Sequence, residues 1–141
     1  MRVTPHRSGF TLFELLVSIS IIGILIALGT VSFTTAQQSG RDSRRRSDVT
    51  GMRNALEQYY ARYTAYPDAC TDDEVTEVLP NGFPTDPKTG DENYGYDVTC
   101  SSDSYCVCAL MEREGTGNSN TNDCTDFTTS GGDYFCAQNL Q

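Results

Sequence analysis

The sequence predicts an α+β fold in which a long N-terminal helix packs on a small antiparallel β-sheet head that carries disulfides. Three observations predict it: a largely apolar run from Phe10 to Val31 whose only charged residue is Glu14, an amphipathic helical stripe after that run, and short alternating runs near the C-terminus. The 141 residues suit one globular domain. Because a small sheet is marginal alone, we expect the helical stripe to cover one of its faces.

The apolar run is long enough to cross a bilayer. It follows a short cationic segment, residues 1–9, and as a helix it would span about 33 Å. An ordinary secretory signal has a shorter apolar core closed by an A-x-A site, which is missing here. We therefore expect a membrane-spanning helix at residues 10–34 and a head at 35–141, after the short cationic segment at 1–9.

The helix is expected to continue beyond the membrane as an amphipathic helix. Its apolar side chains recur at steps of three and four residues, at Val49, Met52, Leu56, Tyr59 and Tyr63. Pro67 predicts that the helix ends near residue 65, and Gly40 and Gly51 mark places where it is expected to loosen.

After the helix, turn-forming residues predict a long connection with one short helical turn at residues 72–79. Three runs then read as strands, at residues 94–98, 105–111 and 134–137, within a sheet region at 93–138. Residues 115–132 are rich in glycine and small polar residues, and we expect a loop there without a core of its own.

Six cysteines follow the helix, and an even number behind a membrane-targeting segment predicts disulfides formed in an oxidising compartment. The candidates are Cys70, Cys100, Cys106, Cys108, Cys124 and Cys136. A zinc site is disfavoured because the chain has no CxxC motif and no histidine beyond the leader. The sequence does not choose among the many possible pairings.

Charge is distributed unevenly along the chain, whose formal net charge is −9. The part from Thr64 onward has 15 acidic residues against two basic ones, whereas the basic run Arg41–Arg46 lies in the helix. An acidic protein lacks the general cationic surface that nucleic acids require, so nucleic-acid binding is possible but unsupported. The basic run is either a solvated helix face or a contact for phosphate, lipid head groups or another subunit's acidic head.

The segment Ser8-Gly9-Phe10-Thr11-Leu12-Phe13-Glu14-Leu15-Leu16-Val17 resembles the type IV pilin family, which includes the pseudopilins of type II secretion and of DNA-uptake machines. The resemblance implies that residues 1–9 are a cytoplasmic leader peptide, which a prepilin peptidase removes by cleavage after Gly9. The resemblance further implies N-methylation of Phe10 and places Glu14 as the fifth mature residue. It also implies an inner-membrane platform protein, an assembly ATPase and copies of the same or related pilins as partners. The precursor would span the inner membrane with a cytoplasmic N-terminus, and the head would reach the periplasm or an extracellular filament.

Glu14 is the main candidate for assembly, because a carboxylate in an apolar helix is costly unless it is paired. Cleavage would create a cationic amine on Phe10, one helical turn away, and a neighbouring subunit's amine could reach the same carboxylate between packed helices. In the alternative interpretation, Glu14 extends to the membrane interface and contributes little to assembly.

No catalytic set is found: the lone His6 lies in the leader, and no glycine-rich phosphate loop follows a strand. We therefore expect neither an enzyme nor a cofactor. Asp123, Asp126 and Asp133 are weak calcium candidates, but their spacing does not match an EF-hand, so no metal is predicted.

The sequence thus predicts a structural subunit that polymerises through its N-terminal helix, in a type IV pilus or, alternatively, as a pseudopilin of a secretion or DNA-uptake system. Two alternatives of other classes remain open. One is a single-span membrane anchor with a binding head, and the other is a secreted disulfide-rich ligand whose N-terminal segment is only a signal.

Overall fold

The computed structural model describes residues 9–70, 75, 77–79 and 81–140. The chain divides into two compact units, residues 1–37 and 38–141. Within these described residues, helix α1 precedes five strands: α1 is Leu12–Tyr63, β1 Tyr96–Ser101, β2 Ser104–Leu110, β3 Gly117–Ser119, β4 Phe127–Gly132 and β5 Tyr134–Gln138. The predicted α+β class, with a long N-terminal helix and a small antiparallel sheet, is confirmed.

Helix α1 runs without interruption through Gly40 and Gly51, so the expected loosening at these glycines is not seen. The helix ends where the Thr64 amide donates to the Tyr60 carbonyl and the Thr64 backbone takes a left-handed φ of 57°. Pro67 follows three residues later and cannot continue the helix. The observed end lies two residues before the predicted one.

In the first unit, every described side chain from Gly9 to Gln37 is exposed. Most of these residues are apolar, and the segment is long and apolar enough to cross a membrane, by length and composition. An exposed apolar surface of this extent is unfavourable in water, so we expect a membrane or a partner protein to cover it.

The second unit contains an antiparallel sheet with strand order β1-β2-β5-β3-β4. On β2, Tyr105, Val107 and Ala109 join the main core, whereas Cys106 and Cys108 belong to a second cluster. Because side chains alternate along a strand, the two sets point to opposite faces of the sheet. This strand is therefore buried on both faces.

The main core is formed by the predicted stripe of α1 and one face of the sheet. Val49, Met52 and Leu56 are fully buried in it, as expected. The stripe prediction is wrong at Tyr63, which is 48% exposed, and Tyr60 packs against the core instead. The helical period places position 60 one turn after Leu56, while Tyr63 stacks on Tyr59 with ring centroids 4.6 Å apart.

The expectation of a loop at residues 115–132 is wrong, because this segment contains strands β3 and β4. A Cβ atom on Gly117 would lie 2.0 Å from the Tyr134 carbonyl oxygen, and one on Gly132 would lie 2.0 Å from that of Ser119. The glycines that suggested a loop are thus the residues that allow the strands to approach closely.

Half of the predicted helical turn at residues 72–79, namely residues 72–74 and 76, lies outside the described residues. Within them, the amides of Val78 and Leu79 donate to the Val75 carbonyl, which marks one tight turn, and Val75 is buried in the main core.

Candidate functional site

Helix α1 begins with a reciprocal cap between Thr11 and Glu14. The Thr11 amide and hydroxyl donate to the Glu14 Oε2 atom at 2.9 and 2.8 Å, and the Glu14 amide donates to the Thr11 Oγ1 atom at 3.2 Å. This is a capping box, which satisfies amides that lack partners in the first turn of a helix. The T-x-x-E pattern of residues 11–14 was readable in the sequence but was missed.

The capping box positions the three residues of the predicted processing and assembly site. Gly9 and Phe10 precede α1 in non-helical conformation and are exposed, so the Gly9–Phe10 bond lies on the surface. The Glu14 carboxylate contacts the amide of Thr11, the residue directly after Phe10. Cleavage after Gly9 would therefore create an amine one residue from a group that already contacts this carboxylate, and the helix dipole favours an acidic group there.

The basic run of the second unit is not a solvated helix face. Arg45 is 0% exposed, and its guanidinium donates to Asp86 at 2.6 and 2.8 Å and to Asp42 and Glu112 at 3.0 Å each. Arg41 donates twice to Glu112, at 2.5 and 2.6 Å. We call these five residues the ionic hub. It joins α1 to the turn at Asp86 and to the residues just after β2.

The other arginines of the run leave little cationic surface. Arg46 donates to the Thr116 carbonyl and stacks over the Phe135 ring at 5.7 Å. Arg44 remains 62% exposed, with Asp48 at 3.7 Å. The suggested contact of this run with phosphate or lipid thus loses its physical basis, because these side chains are mostly directed to the protein's own acceptors.

Two carboxylates of the ionic hub, Glu112 and Asp86, are stabilised in their charged forms. Hydrogen bonds from Arg41, and then from Arg45, lower the pKa of Glu112 to about 2, against the opposing effect of burial. Burial raises the pKa of Asp86, but the hydrogen bonds from Arg45 and from the Lys88 amide outweigh it and lower that pKa. A buried cluster of this kind is sensitive to the loss of one member, because the remaining charge is left without compensation.

Glu57 forms a second polar connection between α1 and the rest of the head. Its carboxylate accepts from the Tyr105 hydroxyl at 2.9 Å, the Tyr66 hydroxyl at 3.2 Å and the Leu140 amide at 3.1 Å. Burial, followed by the nearby Glu57 carboxylate, raises the pKa of Tyr66 to about 12, so the phenol stays protonated as a donor.

The predicted disulfides are present, and the structure supplies the pairing that the sequence left open. The pairs are Cys70–Cys100, Cys106–Cys124 and Cys108–Cys136. The first connects the segment after α1 to β1. The other two lie together on the sheet face that carries Cys106 and Cys108.

The three calcium candidates serve the hydrogen bonds of their own segment. Asp123 accepts from Thr121 and Thr125, Asp126 from the Asn120 side chain, and Asp133 from the Gly115 amide. Hydrogen bonds from Thr121, and then from Thr125, lower the pKa of Asp123. Through these hydrogen bonds the three carboxylates stabilise the loops in which they lie.

Comparison with known proteins finds a family match at the N-terminus and two similar proteins. Residues 4–30 match the family model described as the prokaryotic N-terminal methylation motif. The chain is 29% identical over 101 residues to the type IV major pilin protein PilA of Myxococcus xanthus strain DK1622, which covers 72% of this chain and 41% of that protein. It is 34% identical over 67 residues to the type II secretion system core protein G of Escherichia coli strain K12, which covers 48% of this chain and 46% of that protein. The matched regions thus span less than half of either relative.

Proposed function

We propose that this chain, whose methylation motif and relatives support a type IV pilin or pseudopilin family, is a pilin-like filament subunit that polymerises through its N-terminal helix. Pilins and pseudopilins are structural proteins, so the proposal includes no enzymatic activity. One observation carries it: the described part of the first unit is an exposed apolar helix whose start holds a capped acidic residue, Glu14.

The physical argument begins with the exposed apolar surface. A helix of this length and composition is stable in a bilayer. When it leaves the bilayer, its contacts with lipid must be replaced by other apolar contacts of similar area. Copies of the same helix supply them, because identical helices packed side by side bury one another's apolar surface. The precursor is then a membrane protein, and the filament is its form outside the membrane.

Processing provides the step from precursor to subunit. We assign cleavage to the exposed Gly9–Phe10 bond, with a prepilin peptidase as the enzyme and a methylated Phe10 as the product. The leader stays on the cytoplasmic side, and the disulfide-bonded head faces the oxidising side. A platform protein and an assembly ATPase would supply the force and the site for extraction from the inner membrane.

The proposal is tested by the mature N-terminus and by a Gly9→Val variant. Mass spectrometry of the wild-type protein is expected to find methylated Phe10 as the first residue. A bulky side chain at the scissile bond is expected to leave Gly9→Val as an uncut, membrane-held precursor. Retention of Met1 in the wild type would support the membrane-anchor alternative, and cleavage beyond Ala27 would support the secreted ligand.

The matched control is Gly23→Val, which places the same side chain inside the helix and away from the scissile bond. A Cβ atom at Gly23 meets no atom within 4 Å in the described residues. Normal cleavage of Gly23→Val beside uncut Gly9→Val would assign the defect to the processing site rather than to membrane insertion.

A secretion pseudopilus is the second candidate, and the match to the type II secretion protein favours it. The two filaments differ in what a deletion strain loses. Loss of surface fibres seen by electron microscopy, with normal export of secreted enzymes, would indicate a pilus. Loss of enzyme export without a change in surface fibres would indicate a pseudopilus.

A further inference from the structure

Most of the basic side chains in the second unit form ion pairs with carboxylates of the same chain. Six of them have a carboxylate oxygen at 3.7 Å or less: Arg41, Arg44, Arg45, Arg62, Lys88 and Arg113. The other two are Arg46 and Arg53, for which the described residues supply no ion pair. These two arginines lie seven positions apart on α1, so they share one face of the helix.

Arg53 is the less satisfied of the two unpaired arginines. Arg46 donates to the Thr116 carbonyl and lies over the Phe135 ring. The Arg53 side chain donates no hydrogen bond to a described residue, and its Nε atom is buried without an acceptor. An arginine side chain remains charged in proteins, and a charged group without a partner is costly. Within the described part of the chain, the pairing of this guanidinium is therefore incomplete.

Arg53 lines an open cleft of about 320 Å³ that is bordered by α1 and β5. We call it the Arg53 cleft, and its side chains include Thr50, Arg53, Phe127, Phe135 and Leu140. Phe127 is 42% exposed and Leu140 is 70% exposed. A guanidinium beside exposed apolar groups fits a polypeptide segment that carries a carboxylate. The carboxylate forms a two-fold hydrogen-bonded pair with the guanidinium, and the rest of the segment covers the apolar groups.

The carboxylates that complement this cleft lie on other surfaces of the head. None of the described residues lining the Arg53 cleft is acidic, so two clefts facing each other would bring arginine against arginine. From Thr64 onward, by contrast, 15 acidic residues stand against two basic ones. Four of these carboxylates are exposed and form no ion pair with a described residue: Asp68, Glu92, Asp103 and Glu114. A second copy of the chain therefore offers the complementary charge through a surface different from the cleft.

We propose that the Arg53 cleft receives an acidic segment of a second copy of this chain. A carboxylate of that segment pairs with Arg53, and the segment covers Phe127 and Leu140. A contact between two different surfaces leaves one surface of each kind free on every pair, so it extends from copy to copy, as a filament requires. The inference rests on the proposed filament function and adds a contact between heads to the packing of the N-terminal helices.

The test places a photoreactive benzoylphenylalanine at position 127 of the full-length chain and irradiates whole cells that produce it. The probe replaces an exposed aromatic side chain by another, so the cleft keeps its apolar rim. A covalent product of two copies is expected. Peptide mapping is expected to find position 127 joined to a segment that contains one of the four exposed carboxylates. The same probe at Tyr63, which is 48% exposed and does not line the cleft, is the matched control.

Arg53 variants then show whether the capture depends on charge. With the probe at position 127, Arg53→Gln is expected to lower the yield of the two-copy product by more than about fivefold, because it removes the charged donor. Arg53→Lys keeps the charge and is expected to retain most of the yield. Arg44→Gln removes an exposed arginine outside the cleft and is expected to leave the yield unchanged. Any two-copy product from the Tyr63 probe is expected not to depend on Arg53.

Filaments counted by electron microscopy in the same cells separate this inference from the proposed function. Equal yields in Arg53→Gln and in the wild type would overturn the charge pairing. Capture of another protein, or of none, in cells that form filaments would overturn the second-copy occupant and leave the filament proposal intact. An Arg53-dependent two-copy product in cells without filaments would support the contact and contradict the filament function. Absence of both product and filaments would overturn both proposals.

Discussion

Arg45 on α1 and Asp86 in the turn before the sheet form a two-fold hydrogen-bonded ion pair, with N–O distances of 2.6 and 2.8 Å, in a fully buried position. The two residues are 41 positions apart in the chain. The pair fixes the segment around Asp86 to the helix, and Asp42 and Glu112 accept hydrogen bonds from the third nitrogen of the guanidinium.

Removing Asp86 is expected to destabilise the head by about 3–5 kcal/mol, because two buried N–H donors of Arg45 would lose their charged acceptor. The change is Asp86→Ala, and the measurement is urea unfolding of the full-length chain in detergent. The chain has no tryptophan, so tyrosine fluorescence reports the transition. Arg44→Gln is the control, since it removes an exposed, loosely paired arginine and is expected to cost less than about 1 kcal/mol. Equal losses in the two variants would contradict a special role for the buried pair.

The stability of the head is expected to fall with acid through Glu112. Its pKa is 4.5 in a free carboxyl and about 2 in the folded head, so the folded state favours the ionised form. The contribution is therefore complete above about pH 4.5 and is lost as the pH falls toward 2. A shift of this size corresponds to stability on the order of 3 kcal/mol.

Unfolding free energies measured between pH 7 and pH 2, for the wild type and for Glu112→Gln, check this prediction. Glu112→Gln is expected to be less stable at neutral pH and to show a smaller decrease in acid, because it lacks the titrating group. Glu114→Gln is the control, since that carboxylate is exposed two residues away. Parallel pH curves for the wild type and Glu112→Gln would mean that the acid dependence arises elsewhere.

The three disulfides are expected to contribute unequal loop constraints, each of about 2–4 kcal/mol. Thiol labelling of the unfolded, unreduced protein is expected to find no reactive cysteine, and peptide mapping should recover the pairs Cys70–Cys100, Cys106–Cys124 and Cys108–Cys136. Two or more labelled thiols would contradict the fully paired head. A Cys106–Cys136 or Cys108–Cys124 peptide would show that these four cysteines pair differently.

Local patterns determined what could be predicted from the sequence. The stripe through Val49, Met52 and Leu56 depends only on helical period and burial, so it was readable. Strands β3 and β4 were missed because glycine is common both in loops and in strands whose backbones approach closely. The two cases differ only in whether another strand lies beside the glycine, and the local sequence does not show this. The ionic hub was missed because it depends on partners far apart in the chain, such as Arg45 and Glu112, 67 positions apart.

The last prediction separates three roles for Glu14: charge pairing with a Phe10 amine, capping of α1, and placement at the membrane interface. Glu14→Gln keeps the side-chain size and can still complete a capping box, but it has no charge. If pairing drives assembly, this variant is expected to be inserted and cleaved normally yet to form few or no filaments, because the ion pair is strong only where water is excluded. Sheared filaments counted by electron microscopy, beside an immunoblot of processed subunit, measure both outcomes.

Thr11→Ala makes the opposite change, since it removes the cap hydroxyl and leaves the carboxylate. It is expected to weaken the start of α1 by about 1 kcal/mol and to retain filaments, whereas Thr11→Ser keeps the hydroxyl and serves as the control. Loss of filaments in Thr11→Ala together with normal filaments in Glu14→Gln would identify capping as the function of Glu14. Wild-type filament numbers in both variants would support the third role, in which the carboxylate lies at the membrane interface and contributes little to subunit contacts.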